Sequence, residues 1–290
     1  MSVKNFLYEL YVKILFRTKY KKQEFFLCSR GIGDTVVFLS KLHDYKTWYP
    51  KNAIHLILQE NHRIIAEGYK KYIDSEHYEK GNVIGIMDRL ANQKMLPRNI
   101  HFILPPDGEQ LLGYKDLSIC DLVNISMGIP DTALTYEQPQ FSWKPDRKEE
   151  IIKQYHLLEG KTVILAPYAV SVPLISKDLW NQLVEHYHKK GFQVLTNVKD
   201  NSEYPLDGTE GISLRLDEMY LATEYGGYFV GLRSGLCDLL AYSKCCMTVV
   251  YPANKSKDWR DKYTFSNMFF EKKIEEISEE DFALWIQSLK

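Results

Sequence analysis

Short, almost wholly apolar runs recur along the chain, each followed by a longer amphipathic stretch, and this rhythm narrows the possible folds more than any other feature. EFFLCS (24–29), AIHLIL (53–58), KTVILAPY (161–168), FQVLTNV (192–198), YFVGL (228–232) and CCMTVVYP (245–252) all have strand length. Because they lack polar alternation, both faces of each strand must be covered, as in a parallel sheet layered between helices. Strand, helix, strand is the βαβ unit, so the chain is expected to be α/β with doubly wound parallel sheets.

The stretches between these runs have helical spacing. One helix is expected from about Asp34 to Trp48, and another over 114–130, where Gly128 and Pro130 form a stop signal. VIGIM (83–87) and IHFIL (100–104) read as further strands of the first series. The segment PDTALTYEQPQFSWKP (130–145) has three prolines and no sustained period, so the domain boundary is placed there. After it the rhythm restarts, with helices over SKDLWNQLVEHYHKKG, LDEMYLATEYGG and SGLCDLLAYSK, and a last helix opening on the capping-box pair Ser278 and Asp281. Three parts result: a basic amphipathic helix over 1–22 belonging to the first domain, the rest of that Rossmann-like domain over 23–140, and a second over 141–290.

A chain of 290 residues suits two such domains. With a formal net charge of -1, nothing global favours nucleic acid, and no nucleic-acid partner is expected. Five cysteines, odd in number and without a C-x-x-C pair, fit buried thiols in a reducing compartment, so a cytoplasmic location is expected. No apolar run is long enough to span a bilayer. The N-terminal stretch combines Phe6, Leu7, Leu10, Tyr11, Ile14 and Leu15 at helical spacing with Lys4, Lys13, Arg17, Lys19, Lys21 and Lys22. Such a helix either docks on the protein's own core or lies on the anionic inner face of a membrane.

Three places carry candidate chemistry. In SRGIGDTVVFLSKL (29–42), Arg30, Gly31, Gly33 and Asp34 stand where a strand hands over to a helix, the position at which open α/β sheets bind ligands. Read sterically, the glycines allow a tight turn and Asp34 caps the helix. In YFVGLRSGLCDLLAY (228–242), a strand runs into Arg233, Ser234 and Gly235 at a helix start; the guanidinium and free N–H groups suit a diphosphate, the alternative being a turn with a surface arginine and a serine cap. In LAPYAVSVPLISKDLW (165–180), Ser171 lies in a loop and Lys177 opens a helix, free either to neutralise phosphate or to sit as an ordinary surface residue, with Trp180 in the core.

Other chemistries find less support. G-x-G-x-x-G fails at Val36, so a nicotinamide enzyme using Glu60 on the ribose is a minor alternative. There is no P-loop, no H-E-x-x-H and no Cys/His spacing for a metal, and His186 and His188 cannot face one ion from a helix. No metal and no cofactor are expected.

Together, the three places resemble the bacterial heptosyltransferases and their relatives among GT-B glycosyltransferases, glycosyltransferase family 9, from about residue 24 to 252. The likeness rests on the Arg/Gly/Asp loop in SRGIGDTVVFLSKL, on VILAPYA, on Lys177 two residues before Leu179-Trp180, and on VG-x-x-SGL at 230–236. It implies two Rossmann-like domains with parallel sheets facing across a cleft, the first for the acceptor and the second for a nucleotide sugar. It also implies that Asp34 is the general base beside an acceptor-side loop of Arg30, Gly31 and Gly33. Ser171, Lys177, Arg233, Ser234, Gly235 and Asp238 would then serve the donor diphosphate. The family's D-x-G-x-x-H is replaced by Arg233-Ser234-Gly235-Leu236-Cys237-Asp238, and its Thr-Pro is missing. The expected activity is inverting, metal-independent sugar transfer from a nucleotide-diphosphate donor to a glycan or lipid-linked acceptor. The alternative is a non-catalytic scaffold or binding protein of the same fold.

Overall fold

The computed structural model describes residues 3–104, 117–130, 136–199, 202–253, 255, 257–267 and 274–289. Met1 and Ser2 of the anticipated N-terminal helix, 114–116 of the anticipated 114–130 helix and 131–135 of the proline-containing boundary lie outside them. The chain divides into two compact units, Met1–Gln140 and Phe141–Lys290.

The first unit begins with helix α1 (Val3–Arg17), followed by strand β1 (Phe25–Leu27). Helices α2 (Ile32–Ser40) and α3 (Leu42–Trp48) come next. The single helix expected over 34–48 is thus broken at Lys41, whose N–H takes the carbonyl of Phe38 at 3.1 Å instead of continuing the α pattern. Lys41 is fully buried, with its ammonium 3.2 Å from Asp44 and 4.1 Å from the Tyr136 ring centre. Then follow β2 (His55–Gln59), α4 (Arg63–Glu67), β3 (Ser75–Glu79), α5 (Gly81–Asn92), β4 (Ile100–Phe102) and α6 (Ile119–Met127).

VIGIM, expected as a strand, lies inside α5. Its Val83, Ile84, Ile86 and Met87 continue to Leu90 at helical spacing, all buried, and the longer period wins over the short apolar run. Helix α6 is shorter than expected because Ser118 caps it, accepting the N–H of Asp121 at 3.2 Å while Asp121 takes the Ser118 N–H at 2.8 Å. Its end is as expected, with Gly128 left-handed.

All strand pairs of this sheet are parallel, in the order β3-β2-β1-β4. Strand β1 buries alternate residues on opposite faces. Phe25 and Leu27 meet Val12, Leu15 and Phe16 of α1 and Val83 and Met87 of α5. Phe26 packs the other way, 6.0 Å from Phe38 and edge-on to Tyr45 at 5.1 Å.

The second unit opens with α7 (Pro145–Gln154) and β5 (Thr162–Ala166), then α8 (Lys177–Lys189), β6 (Gln193–Asn197) and β7 (Glu210–Ile212). It continues with α9 (Leu216–Gly226), β8 (Gly227–Leu232), α10 (Gly235–Leu240) and β9 (Cys246–Tyr251). It ends with α11 (Lys257–Tyr263), β10 (Glu275–Ser278) and α12 (Glu279–Ser288). Ser278 caps α12 by accepting the Asp281 N–H at 3.2 Å. One face of the sheet presents Val163, Leu165, Val230, Leu232 and Val250 to Trp180, Leu183 and Val184 of α8 and Phe282 of α12.

This sheet too is all parallel, in the order β10-β9-β8-β5-β6-β7. The chain lays β6 and β7 on one side of β5, then returns to lay β8, β9 and β10 on the other. The order reverses between β5 and β8, which are paired up to Ala166 and Gly231. In the first sheet it reverses between β1 and β4.

Candidate functional site

Reversal of strand order matters because the connections on its two sides leave in opposite directions and open a crevice at the carboxyl ends of the strands. In the first unit the loop from Cys28 to Gly31 leaves β1 at such a point. Helix α2 starts at Ile32, and Gly31 is its N-cap residue in extended conformation, at φ -69°. Neither Gly31 nor Gly33 is left-handed. Nor does Asp34 cap from outside the helix: from the third position it reaches back, its Oδ2 accepting the Gly31 N–H at 3.1 Å. Asp34 is partly exposed.

The loop is held from two sides. Asp88 of α5 accepts the Ser29 hydroxyl at 2.6 Å and lies 3.4 Å from the Arg30 guanidinium, so Arg30 braces the loop. From beneath, Thr35 Oγ1 lies 2.9 Å from His62 Nδ1 and 3.5 Å from the Cys28 thiol, joining α2, the end of β1 and the turn after β2. His62 is 1% exposed, and burial pushes its pKa down to about 4, so it is neutral near pH 7. Burial pushes the Cys28 thiol up to about 12, which leaves it unreactive. Sequence reasoning missed Asp88 because α5 reads as a strand there, and missed His62 and Thr35 because their pairing spans a fold contact.

In the second unit two loops leave from the paired ends of β5 and β8, strands that lie about 4.8 Å apart in a sheet. The loop after β5 carries Ser171, exposed, and leads to Ser176, whose hydroxyl caps α8 by accepting the Asp178 N–H at 3.3 Å. Lys177, the first residue of α8, is exposed and donates to Asp207 at 2.8 Å, a hydrogen bond that raises its pKa. Trp180 is in the core, edge-on to Phe282 at 5.2 Å.

The loop after β8 is built differently from the surface arginine and serine cap of the simpler reading. Arg233 is buried, and its guanidinium forms a bidentate pair with Asp238 at 2.7 and 2.9 Å, while Nε donates to the Tyr263 carbonyl at 3.0 Å. A third bond, from Nη1 to the Ser234 carbonyl at 2.9 Å, fixes the loop itself. Burial pushes the Asp238 carboxyl up, and the adjacent guanidinium pulls it back.

Burial decides which cation can meet an anion. Parting a buried pair leaves an uncompensated charge at a cost of about 3–5 kcal/mol, whereas an exposed pair such as Lys177–Asp207 is weakly held and screened. Arg233 and Asp238 are thus internal struts, and Lys177 is the cation able to change partner. Ser234 makes no side-chain cap; it and Gly235 are partly exposed, leaving the backbone of the α10 start open. Gly231 just before them admits no side chain, since the Phe229 ring lies 2.6 Å from where a Cβ would be.

No protein-family model matches the chain, and no curated protein matches its sequence. Solved structures do match its architecture. The glycosyltransferase of family 9 from Veillonella parvula aligns over 92% of this chain and 91% of its own, at 11% identity and a TM-score of 0.65. This chain thus has a heptosyltransferase-like fold. The E. coli ADP-heptose LPS heptosyltransferase II covers 88% of this chain and 90% of its own at 14% identity, with a TM-score of 0.60. The E. coli heptosyltransferase WaaC, solved with ADP-2-deoxy-2-fluoro heptose, covers 92% and 100% at 10% identity, with a TM-score of 0.55.

Proposed function

We propose that this chain is an inverting glycosyltransferase that moves a sugar from a nucleotide-diphosphate donor to a glycan or lipid-linked acceptor without requiring a metal. The observation that carries the reading is the strand order of the second sheet: the Ser171–Lys177 and Ser234–Gly235 loops leave from adjacent strand ends at the point where that order reverses. Open N–H groups and one exchangeable ammonium there suit a leaving diphosphate. Asp34, at the equivalent point of the first sheet, is the general base that takes the proton of the acceptor hydroxyl. One base and direct displacement invert the anomeric centre. In this mechanism Lys177 leaves Asp207 for the diphosphate, while Arg233 and Asp238 hold the loop that presents Ser234 and Gly235.

Family likeness adds the donor to test first, because WaaC was solved with an ADP-linked sugar. Membrane contact is supported by α1. Of its anticipated apolar stripe, Phe6, Leu7, Leu10, Tyr11 and Ile14 are 45–58% exposed, while the sixth member, Leu15, docks the helix on the core together with Val12 and Phe16. Arg17, Lys21 and Lys22 are exposed nearby, as an anionic surface requires. No helix among the described residues is long and apolar enough to cross a membrane.

The test is thermal stabilisation by ADP, GDP, UDP, CDP and dTDP with EDTA present, followed by sugar transfer with the donor so identified. One diphosphate is expected to stabilise selectively. Asp34→Asn is then expected to cut turnover by about two orders of magnitude or more while that stabilisation stays intact. No shift for any diphosphate would favour a non-catalytic scaffold of the same fold, and wild-type turnover in the variant would remove Asp34 from the chemistry.

A further inference from the structure

A pocket of about 600 Å³ lies in the first unit between α1 and the carboxyl ends of β2 and β3. Its walls include Leu7, Tyr8 and Tyr11 of α1, Glu60 after β2, Tyr78 at the end of β3 and Asn82 at the start of α5. Tyrosine rings give flat apolar walls with a polar edge, the surface that packs against the C–H faces of a pyranose, while carboxylate and amide groups meet its hydroxyls. The fittings are ordered. The Arg63 guanidinium lies 4.2 Å from the Tyr78 ring centre, and burial pushes the Tyr78 phenol up to about 12, so it remains a donor. Asn82 accepts the Val83 N–H through its Oδ1 at 2.9 Å, which turns its amide NH₂ to the other side.

Charge selects among ligands. Glu60 and Glu79 both line the pocket, and Glu79 is held by Lys19 at 2.8 Å and Tyr20 at 2.6 Å. Lys80 lines the pocket as well, so with Glu79 already paired the charges of the lining nearly cancel, which suits a neutral, hydroxyl-rich group better than a phosphate. Location selects further, because Leu7 and Tyr11 belong both to the pocket wall and to the exposed apolar stripe of α1. Whatever enters past them is met by apolar surface on the outside and by hydroxyl-binding groups within.

We infer that this pocket binds a neutral sugar of a membrane-anchored glycolipid, with α1 serving at once as membrane contact and as pocket wall. The inference rests on the acceptor role proposed for the first unit and names its substrate class. Neighbouring strands lie about 4.8 Å apart, so a pocket at the ends of β2 and β3 starts one or two spacings, about 5–10 Å, from the β1 loop that carries Asp34. The bound sugar is then an inner residue of the acceptor, with the receiving hydroxyl nearer Asp34.

Saturation-transfer NMR on the full chain with n-octyl glycosides of glucose, galactose, mannose and N-acetylglucosamine, below micelle-forming concentration, tests this without nucleotide or turnover. At least one octyl glycoside is expected to show saturation of its ring protons. The signal should be at least fivefold weaker in Tyr11→Ala/Glu60→Gln and weaker for the matching methyl glycoside. Both changed side chains are exposed, and an unchanged melting temperature checks that the variant is folded. Ring saturation that survives the double change, or its absence with every octyl glycoside, overturns the pocket. Equal saturation by methyl and octyl glycosides overturns the membrane source. Because no donor is present, failure of the nucleotide test leaves this result standing, and the reverse also holds.

Discussion

His62 shows how a residue far from the solvent can govern the loop that carries the proposed base. It bonds Thr35, the residue after Asp34, and it is neutral because burial holds its pKa near 4. Above about pH 6.5 the imidazole is neutral whether the chain is folded or not, and it adds nothing to the pH dependence. Between about 6.5 and 4 the unfolded chain takes the proton and the folded one does not, so stability is lost as pH falls, by roughly 3–4 kcal/mol in all, levelling off below pH 4. Urea unfolding at intervals from pH 7.5 to 4.5 measures this. His62→Asn keeps an amide where Nδ1 stood; it is expected to lower stability at every pH through lost packing and to flatten the curve by that amount relative to the wild type. Parallel curves would mean that His62 titrates normally. The residues that make this site were only partly legible. Asp34, Lys177 and Ser234 stand beside glycines or at helix starts, where local pattern reveals them. His62 and Asp88 act through contacts across the fold, and Arg233 and Asp238 could be seen as charges but not as each other's partners.

Among the elements, the buried central strands were readable, and of the edge strands only β4, within IHFIL, was. β5, β6, β8 and β9 lie in uniformly apolar runs because neighbours cover both faces. β3 reads Ser-Glu-His-Tyr-Glu, and it pairs on one side alone, with β2. β7 and β10 end the other sheet and are short and polar for the same reason. Helix α1 was legible as amphipathic, yet its most regular apolar stripe faces outward while an adjoining face docks. That stripe carries a test distinct from the pocket. Changing Phe6, Leu10 and Ile14 together to Ser removes three apolar side chains worth about 1.5–3 kcal/mol each when buried. Sedimentation with vesicles containing phosphatidylglycerol is expected to fall at least 100-fold in affinity, with the melting temperature unchanged because the three are exposed in the folded chain. Binding by the wild type should also weaken with salt, each basic residue contributing about 1 kcal/mol at an anionic surface. A variant that sediments like the wild type would leave α1 as a docked helix with no membrane role.

For the whole molecule, what matters is that sequence order and spatial order differ, and the functional reading depends on the second. Apolar runs reveal that strands exist, and their helices reveal that they are parallel, but nothing local says that β5 lies beside β8 and not only beside β6. That adjacency follows from right-handed crossovers laid first on one side of β5 and then on the other. It brings together two loops more than fifty residues apart, Ser171–Lys177 and Ser234–Gly235, which a linear reading can only rank as separate weak signals. A ligand that bridges strand ends must therefore protect both loops at once, whereas one that uses a single helix start protects one. Hydrogen exchange with the nucleoside diphosphate that stabilises the chain most is expected to slow amides in 168–177 and in 234–237 together, several-fold at saturation, with the β7 and β10 edges unchanged. Protection confined to one loop would place the nucleotide away from the strand reversal, and Lys177 and the Ser234 backbone could not then serve the same diphosphate.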